Sequence, residues 1–140
     1  MSNYNAFLRP VSTEKTKEFV ISDRFLEEDG KTPAKIKIKA IFQTENAAII
    51  KASTHSEKDS RGNYYDKFDR EEYHRRLIVE CTVSPDFRDS KLCKTYNVVD
   101  PNDVAAEMFL AGEYAKLINE VMKLNGYKDI DELAEEAKNS

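Results

Sequence analysis

The chain has 140 residues, of which 40% are hydrophobic and 34% are charged, a composition typical of one solvated domain with a modest core. Its formal net charge is −4, and residues 71–140 carry 9 Lys and Arg against 15 Asp and Glu. Because proteins that bind DNA or RNA usually concentrate basic charge on one face, this acidic half argues against a nucleic-acid ligand.

The N-terminal segment, residues 1–17, has no clear periodicity and is predicted to be a flexible arm before a single domain over residues 18–140. Phe7 and Leu8 are the apolar residues that could anchor this arm. The first residues lack the basic and apolar stretches of a signal peptide, and no apolar run approaches the roughly 18 residues that span a bilayer. We therefore expect a cytoplasmic protein without a membrane partner.

Two stretches on either side of a turn predict a β-hairpin. Residues 19–21 favour a strand, Asp29-Gly30 is a turn pair, and residues 35–41 alternate strictly between charged and apolar side chains. One face of the second strand then carries Ile36, Ile38 and Ala40, and the other carries Lys35, Lys37 and Lys39. The lysines are expected to protect an edge strand from pairing with other chains, and the alternative is a phosphate-binding surface.

The middle of the chain carries helix signals around a polar stretch. Thr44 is the predicted N-cap of a helix that continues to Ala52, and residues 53–67 are predicted to be a polar loop. Asp69 and Glu72 have the spacing of a capping box that opens a second helix. The residues flanking that cap, Phe68 and Tyr73, are placed as a hydrophobic staple.

Helices are also predicted for most of the C-terminal half. Asp100 and Pro101 are an N-cap and a first helical residue in the right order, and Gly112 is predicted to interrupt the helical pattern. Asn125-Gly126 would end the helix that follows. A last amphipathic helix is predicted from a capping box at residues 129–132 to about residue 138. The predicted fold class is α+β, an N-terminal β-hairpin followed by a mostly helical cluster.

No residue pattern indicates a catalytic site, a metal site or a cofactor-binding site. The candidate metal ligands lack the paired spacing of structural zinc sites; they are His55, His74, Cys81 and Cys93. Cys81 lies on the apolar stripe of its helix, where burial raises the pKa of a thiol and lowers its reactivity. Both cysteines are expected to be reduced and partly buried. The chain is predicted to bind another protein and not to be an enzyme.

Residues 108–117, which read Met-Phe-Leu-Ala-Gly-Glu-Tyr-Ala-Lys-Leu, are followed by Asn-Gly-Tyr at residues 125–127. Together they resemble the C-terminal signature of XkdN-like phage tail assembly chaperones, a family of PBSX-type prophages and of phages of Gram-positive bacteria. Further similarities lie at residues 24–31, 38–46 and 135–139. The resemblance covers roughly residues 18–139. A departure is Ala111, where the family often has Pro, and it affects the break between two helices.

The resemblance implies a chaperone that binds the long, helical, hydrophobic tape measure protein. It would keep this client soluble until tail tube subunits polymerise around it, and it would be absent from the finished virion. Such binding needs apolar helix faces that accept another helix. The alternative for the candidate client-binding stripe is the protein's own core, which is the commoner place for any single residue of this kind. The stripe consists of Met108, Leu110, Tyr114, Leu117, Ile118 and Val121.

Two other functions are left open. One is a structural tail or neck component that is retained in the virion, and the weaker one is a nucleic-acid-binding phage regulator, supported only by the three lysines. The resemblance also suggests a longer form of the chain as a partner, because many long-tailed phages make one by a −1 ribosomal frameshift near the stop codon. Ala-Lys-Asn at residues 137–139 permits the slippery heptamer A-AAA-AAC.

Overall fold

The computed structural model describes residues 4–8 and 15–127. The first of these segments is a 3-10 turn, Tyr4–Leu8. Phe7 and Leu8 are 86% and 63% exposed. The expectation that they anchor the arm is therefore wrong, since neither side chain packs into the domain.

The predicted N-terminal hairpin is confirmed, and with it the α+β fold class. Strand β1 (Thr16–Val20) pairs antiparallel with strand β2 (Lys35–Lys39). In β2, Ile36 and Ile38 are buried whereas the lysines at both ends are exposed, which is the predicted alternation. Because β1 begins at Thr16, the last two residues of the expected arm belong to the sheet.

Helix α1 (Gln43–Ala52) begins earlier than predicted. The carbonyl of Phe42 accepts the first helical hydrogen bond, from the Asn46 N–H at 3.0 Å, and no side chain caps the helix. Thr44 already lies in the first turn, so its assignment as N-cap is wrong.

Residues 53–67 form a second hairpin, and the prediction of a loop is wrong. Strand β3 (Thr54–Lys58) follows α1 and pairs antiparallel with strand β4 (Tyr64–Phe68). The turn between them is held by the Asp59 carboxylate, which accepts two backbone N–H groups. Every side chain of β4 is exposed. Both faces of the hairpin are exposed to solvent, so its strands lack the alternation of buried and exposed residues by which a strand is predicted from sequence.

Helix α2 (Arg70–Cys81) starts at the predicted cap. The carboxylate of Asp69 accepts the Glu72 N–H at 3.1 Å. The return bond of a capping box is not made, because the Asp69 N–H donates to the Ser53 carbonyl at 2.8 Å. The second half of the predicted box is therefore wrong, and the Glu72 carboxylate binds His55 instead.

Strand β5 (Thr82–Ser84) follows α2 and pairs with β2, so the sheet order is β1–β2–β5. Strand β2 is central, and the expectation that its lysines protect an edge is wrong. Three residues are too few to show an alternating pattern, which explains why the sequence does not reveal β5.

Two short helices follow, α3 (Ser90–Thr95) and α4 (Val104–Met108). The start signal at Asp100 and Pro101 is confirmed, since the Asp100 carboxylate caps a 3-10 turn that leads into α4. These elements lie between α2 and the last described helix, α5 (Ala111–Leu124).

Helix α5 ends where predicted, and Gly126 adopts the left-handed conformation with φ of 93°. It packs against α2 and against the inner face of β2. The Lys116 ammonium donates to the Val20 carbonyl at 2.7 Å, and Lys17 forms an ion pair with Glu120, so α5 is also tied to β1. The predicted helix at residues 129–138 lies outside the described residues.

Candidate partner-binding surface

The chain turns between α4 and α5 at two residues in extended conformation. Phe109 and Leu110 have ψ of 147° and 159°, and Gly112 lies in the first turn of α5. A Cβ added at Gly112 would meet nothing within 4 Å. The prediction that Gly112 interrupts the helices is wrong, because the turn needs extended residues and not a glycine.

The carboxylate of Glu113 holds this corner. Its Oε1 accepts hydrogen bonds from the Leu110 N–H at 2.8 Å and from Nη2 of Arg24 at 2.6 Å. Its Oε2 accepts Nε of Arg24 at 3.0 Å and the Ser22 hydroxyl. Arg24 also donates from Nη2 to the Met108 carbonyl at 3.1 Å. This buried carboxylate therefore joins the loop after β1 to both sides of the break.

The same contacts make the corner sensitive to acid. The hydrogen bonds from Arg24, and next the one from Ser22, lower the pKa of Glu113 from its ordinary 4.5 to about 2, against the opposing effect of burial. A carboxylate whose pKa is lower in the folded state stabilises the fold above its unfolded-state pKa. This stabilisation is lost as the pH falls from 4.5 toward about 2.

We expect Glu113→Gln to be less stable than the wild type at neutral pH and to approach it as the pH falls below 4.5. Urea unfolding at a series of pH values measures this difference. Glu107→Gln is the control, because Glu107 is exposed. A stability difference between Glu113→Gln and the wild type that does not change with pH would contradict the role given to the carboxylate.

The position of Ala111 beside this break predicts how a proline there would affect stability. Ala111 is the first residue of α5, where proline is favoured, and Leu110 before it has φ of −66° and ψ of 159°, which a following proline permits. Ala111→Pro is therefore expected to raise the free energy of unfolding by about 0.4–1 kcal/mol. Ala115→Pro, inside the same helix, should lower it by about 3 kcal/mol or more. Thermal unfolding of both variants checks this, and destabilisation by Ala111→Pro would show that the corner is misplaced.

The six residues of the candidate client-binding stripe do not share one accessible surface. Leu117, Ile118 and Val121 are 0%, 3% and 0% exposed and belong to the core. Met108 and Tyr114 are half-buried, whereas Leu110 is 59% exposed. The stripe of α5 is covered by α2 and the sheet, and only its N-terminal end reaches the surface.

A groove of about 520 Å³ opens beside the corner. We call it the corner groove; its apolar lining includes Phe25, Leu26, Pro85, Met108 and Phe109. The rings of Phe25 and Phe109 meet edge to face with centroids 5.5 Å apart, and Leu26 is 44% exposed. Of the six stripe residues, Met108 lines it. Sequence reasoning missed Phe25 and Leu26, although two adjacent apolar residues inside a polar turn region were a signal.

Exposed aromatic side chains also mark the hairpin of β3 and β4. Tyr64 and Tyr65 are 70% and 46% exposed. Phe68 is 45% exposed, and its ring lies 5.5 Å from that of Tyr73, which confirms the predicted staple. The hairpin is thus attached to α2 at its base and is accessible along its length.

The structure does not bring the candidate metal ligands together. Cys81 and Cys93 are buried and unpaired, and burial raises the pKa of Cys81 to about 11, as expected for an inert thiol. Burial lowers the pKa of His74. In residues 4–8 and 15–127, no group of three or more His, Cys, Asp or Glu side chains could hold a metal ion. None of the helices in this part of the chain is long and apolar enough to cross a membrane.

Comparisons with known proteins agree on one family. Residues 4–138 match the model described as Phage XkdN-like tail assembly chaperone protein. The phage-like element PBSX protein XkdN of Bacillus subtilis (strain 168) is 32% identical over 139 residues, which cover 96% of this chain and 93% of that protein. YqbN of the same strain is also 32% identical, over 96% of this chain and 92% of its own.

A solved structure shares the fold of this chain. The crystal structure of the protein YqbN superimposes with a TM-score of 0.72 at 26% identity, covering 88% of this chain and 96% of that one. The family match begins at residue 4 and so includes most of the arm that the sequence resemblance left unassigned. The family model matches nearly the whole chain, and the chain shares its fold with a relative. The chain therefore belongs to the XkdN-like family of phage tail assembly chaperones.

Proposed function

We propose that this chain binds the tape measure protein of its phage, keeps it soluble during tail assembly and is absent from the mature particle. Membership of the tail assembly chaperone family carries this proposal. The chain acts in the cytoplasm of the bacterial host, without enzymatic activity or a cofactor. A longer, frameshifted form of the chain is a further proposed partner, and the codons of residues 137–139 test it.

The corner groove is the proposed binding surface for a helical segment of the client. Recognition of an amphipathic helix needs an apolar groove with anchoring pockets, and Leu26 and Met108 offer apolar contact there. Leu110, exposed at the adjacent helix start, extends this surface. The Arg24–Glu113 ion pair fixes the groove wall, so the groove is formed before the client arrives.

Co-expression with the tape measure protein of the same phage tests the proposal. We expect the client to move from the pellet to the supernatant when this chain is present. Leu26→Asp combined with Leu110→Asp should abolish this effect, because a charge would be buried against an apolar client. Val99→Asp is the matched control, since Val99 is 99% exposed and does not line the groove. A client that stays insoluble at every ratio of the two proteins would refute client binding.

A further inference from the structure

The outer face of the three-stranded sheet remains exposed. Thr16, Glu18 and Lys39 are exposed there, and so is Ser84 on β5, which lies opposite Lys37. The opposite face carries Ile38, which is fully buried on the side where α5 packs. The sheet is thus covered by helices on one side only within the described residues.

Three lysines of the central strand occupy this outer face. We call them the lysine row; they are Lys35, Lys37 and Lys39. Neighbours in the row are about 6.6–6.8 Å apart, because a strand rises about 3.3–3.4 Å per residue. Lys17 and Arg88 are each ion-paired to a glutamate, but the row makes no ion pair with any residue that the structure describes.

The position of the row calls for an explanation. Lysine protects an edge strand from pairing with other chains, but β2 has hydrogen-bonded neighbours on both sides. An open sheet face needs only polar side chains, and threonine or serine would serve without repulsion between like charges. Glu18, opposite Lys37, offsets one of the three charges.

We infer that the lysine row binds the acidic face of a helix from a protein partner. Carboxylates at positions i, i+4 and i+8 of a helix are about 6 Å apart, which is within reach of flexible lysine side chains. The half-buried Val20 lies opposite Lys35 on β1 and provides apolar contact for such a helix. A nucleic-acid backbone has no apolar side chains for Val20 to contact, so a helix that carries apolar residues beside its carboxylates fits this face better. Lys35 also lines the corner groove, but Lys37 and Lys39 do not, and this inference does not rest on client binding there.

Binding of a labelled synthetic helical peptide to the full chain tests the inference. The peptide carries Glu at every fourth position with Leu beside it, and a second peptide carries Gln in place of Glu. The triple variant Lys35→Gln, Lys37→Gln and Lys39→Gln removes the row. Three exposed lysines on other elements provide a control with the same loss of charge; they are Lys51, Lys94 and Lys123, each changed to Gln.

We expect the row variant to weaken binding of the Glu peptide about tenfold or more, and the control variant to change it by less than about twofold. Raising the salt concentration from about 50 to about 500 mM should weaken binding to the wild type and leave the row variant nearly unaffected. Circular dichroism melting establishes that both variants are folded. The inference is overturned if the Glu peptide fails to bind at about 1 mM, or if both variants lose affinity equally. It is also overturned if a DNA duplex binds more tightly than the peptide with the same dependence on the row.

Discussion

Replacing Leu117 by Ala is expected to lower the free energy of unfolding by about 2–5 kcal/mol. Leu117 is fully buried, and its removal would leave a cavity in the core where α5 packs on α2 and the sheet. Leu110→Ala is the matched control, because it makes the same chemical change at a residue that is 59% exposed. It should cost less than about 0.5 kcal/mol.

Urea unfolding of the two variants measures this difference in stability. For client binding we expect the opposite, with the larger loss in the Leu110→Ala variant. Leu110→Ala is expected to weaken binding of the tape measure protein while the fold remains stable. A Leu117→Ala variant that keeps wild-type stability but loses client binding would show that Leu117 belongs to the binding surface and not to the core.

Phe87→Ala is expected to destabilise the chain by about 3–5 kcal/mol. Phe87 is fully buried, and its ring meets Phe109 edge to face with centroids 6.3 Å apart. Phe109 in turn contacts Phe25, so the three rings support one wall of the corner groove. Phe7→Ala, at a side chain that is 86% exposed, is the control. Thermal unfolding compares the two, and equal losses would show that the aromatic cluster is not the support of this wall.

Elements with a strong apolar pattern could be predicted from the sequence. Strand β2 was evident because Ile36 and Ile38 alternate with lysines, and α5 because apolar residues recur along one stripe. The hairpin of β3 and β4 escaped prediction because it buries almost nothing, and β5 because three residues show no periodicity. A strand shows alternating apolar and polar residues only when one of its faces is buried against a neighbouring element, so an exposed strand has no such pattern.

The candidate site could be predicted only in part. A helix stripe faces the core or a partner according to what packs on it, and the sequence of α5 does not specify that neighbour. Met108 and Leu110 reach the surface because Met108 ends α4 and Leu110 lies in the turn that precedes α5. The Arg24–Glu113 pair that holds this turn joins residues 89 positions apart, which no local pattern reveals.

The central claim is that this chain accompanies the tape measure protein during assembly and leaves before the particle is complete. Quantitative mass spectrometry of two samples tests it most directly. One is the tape measure protein isolated from cells before tail tubes form, and the other is the purified particle from the same cells. We predict that the chain is recovered with its client in a constant ratio in the first sample and is absent from the second. Its presence in purified particles in a fixed ratio to the tail proteins would contradict the claim and identify a retained structural component.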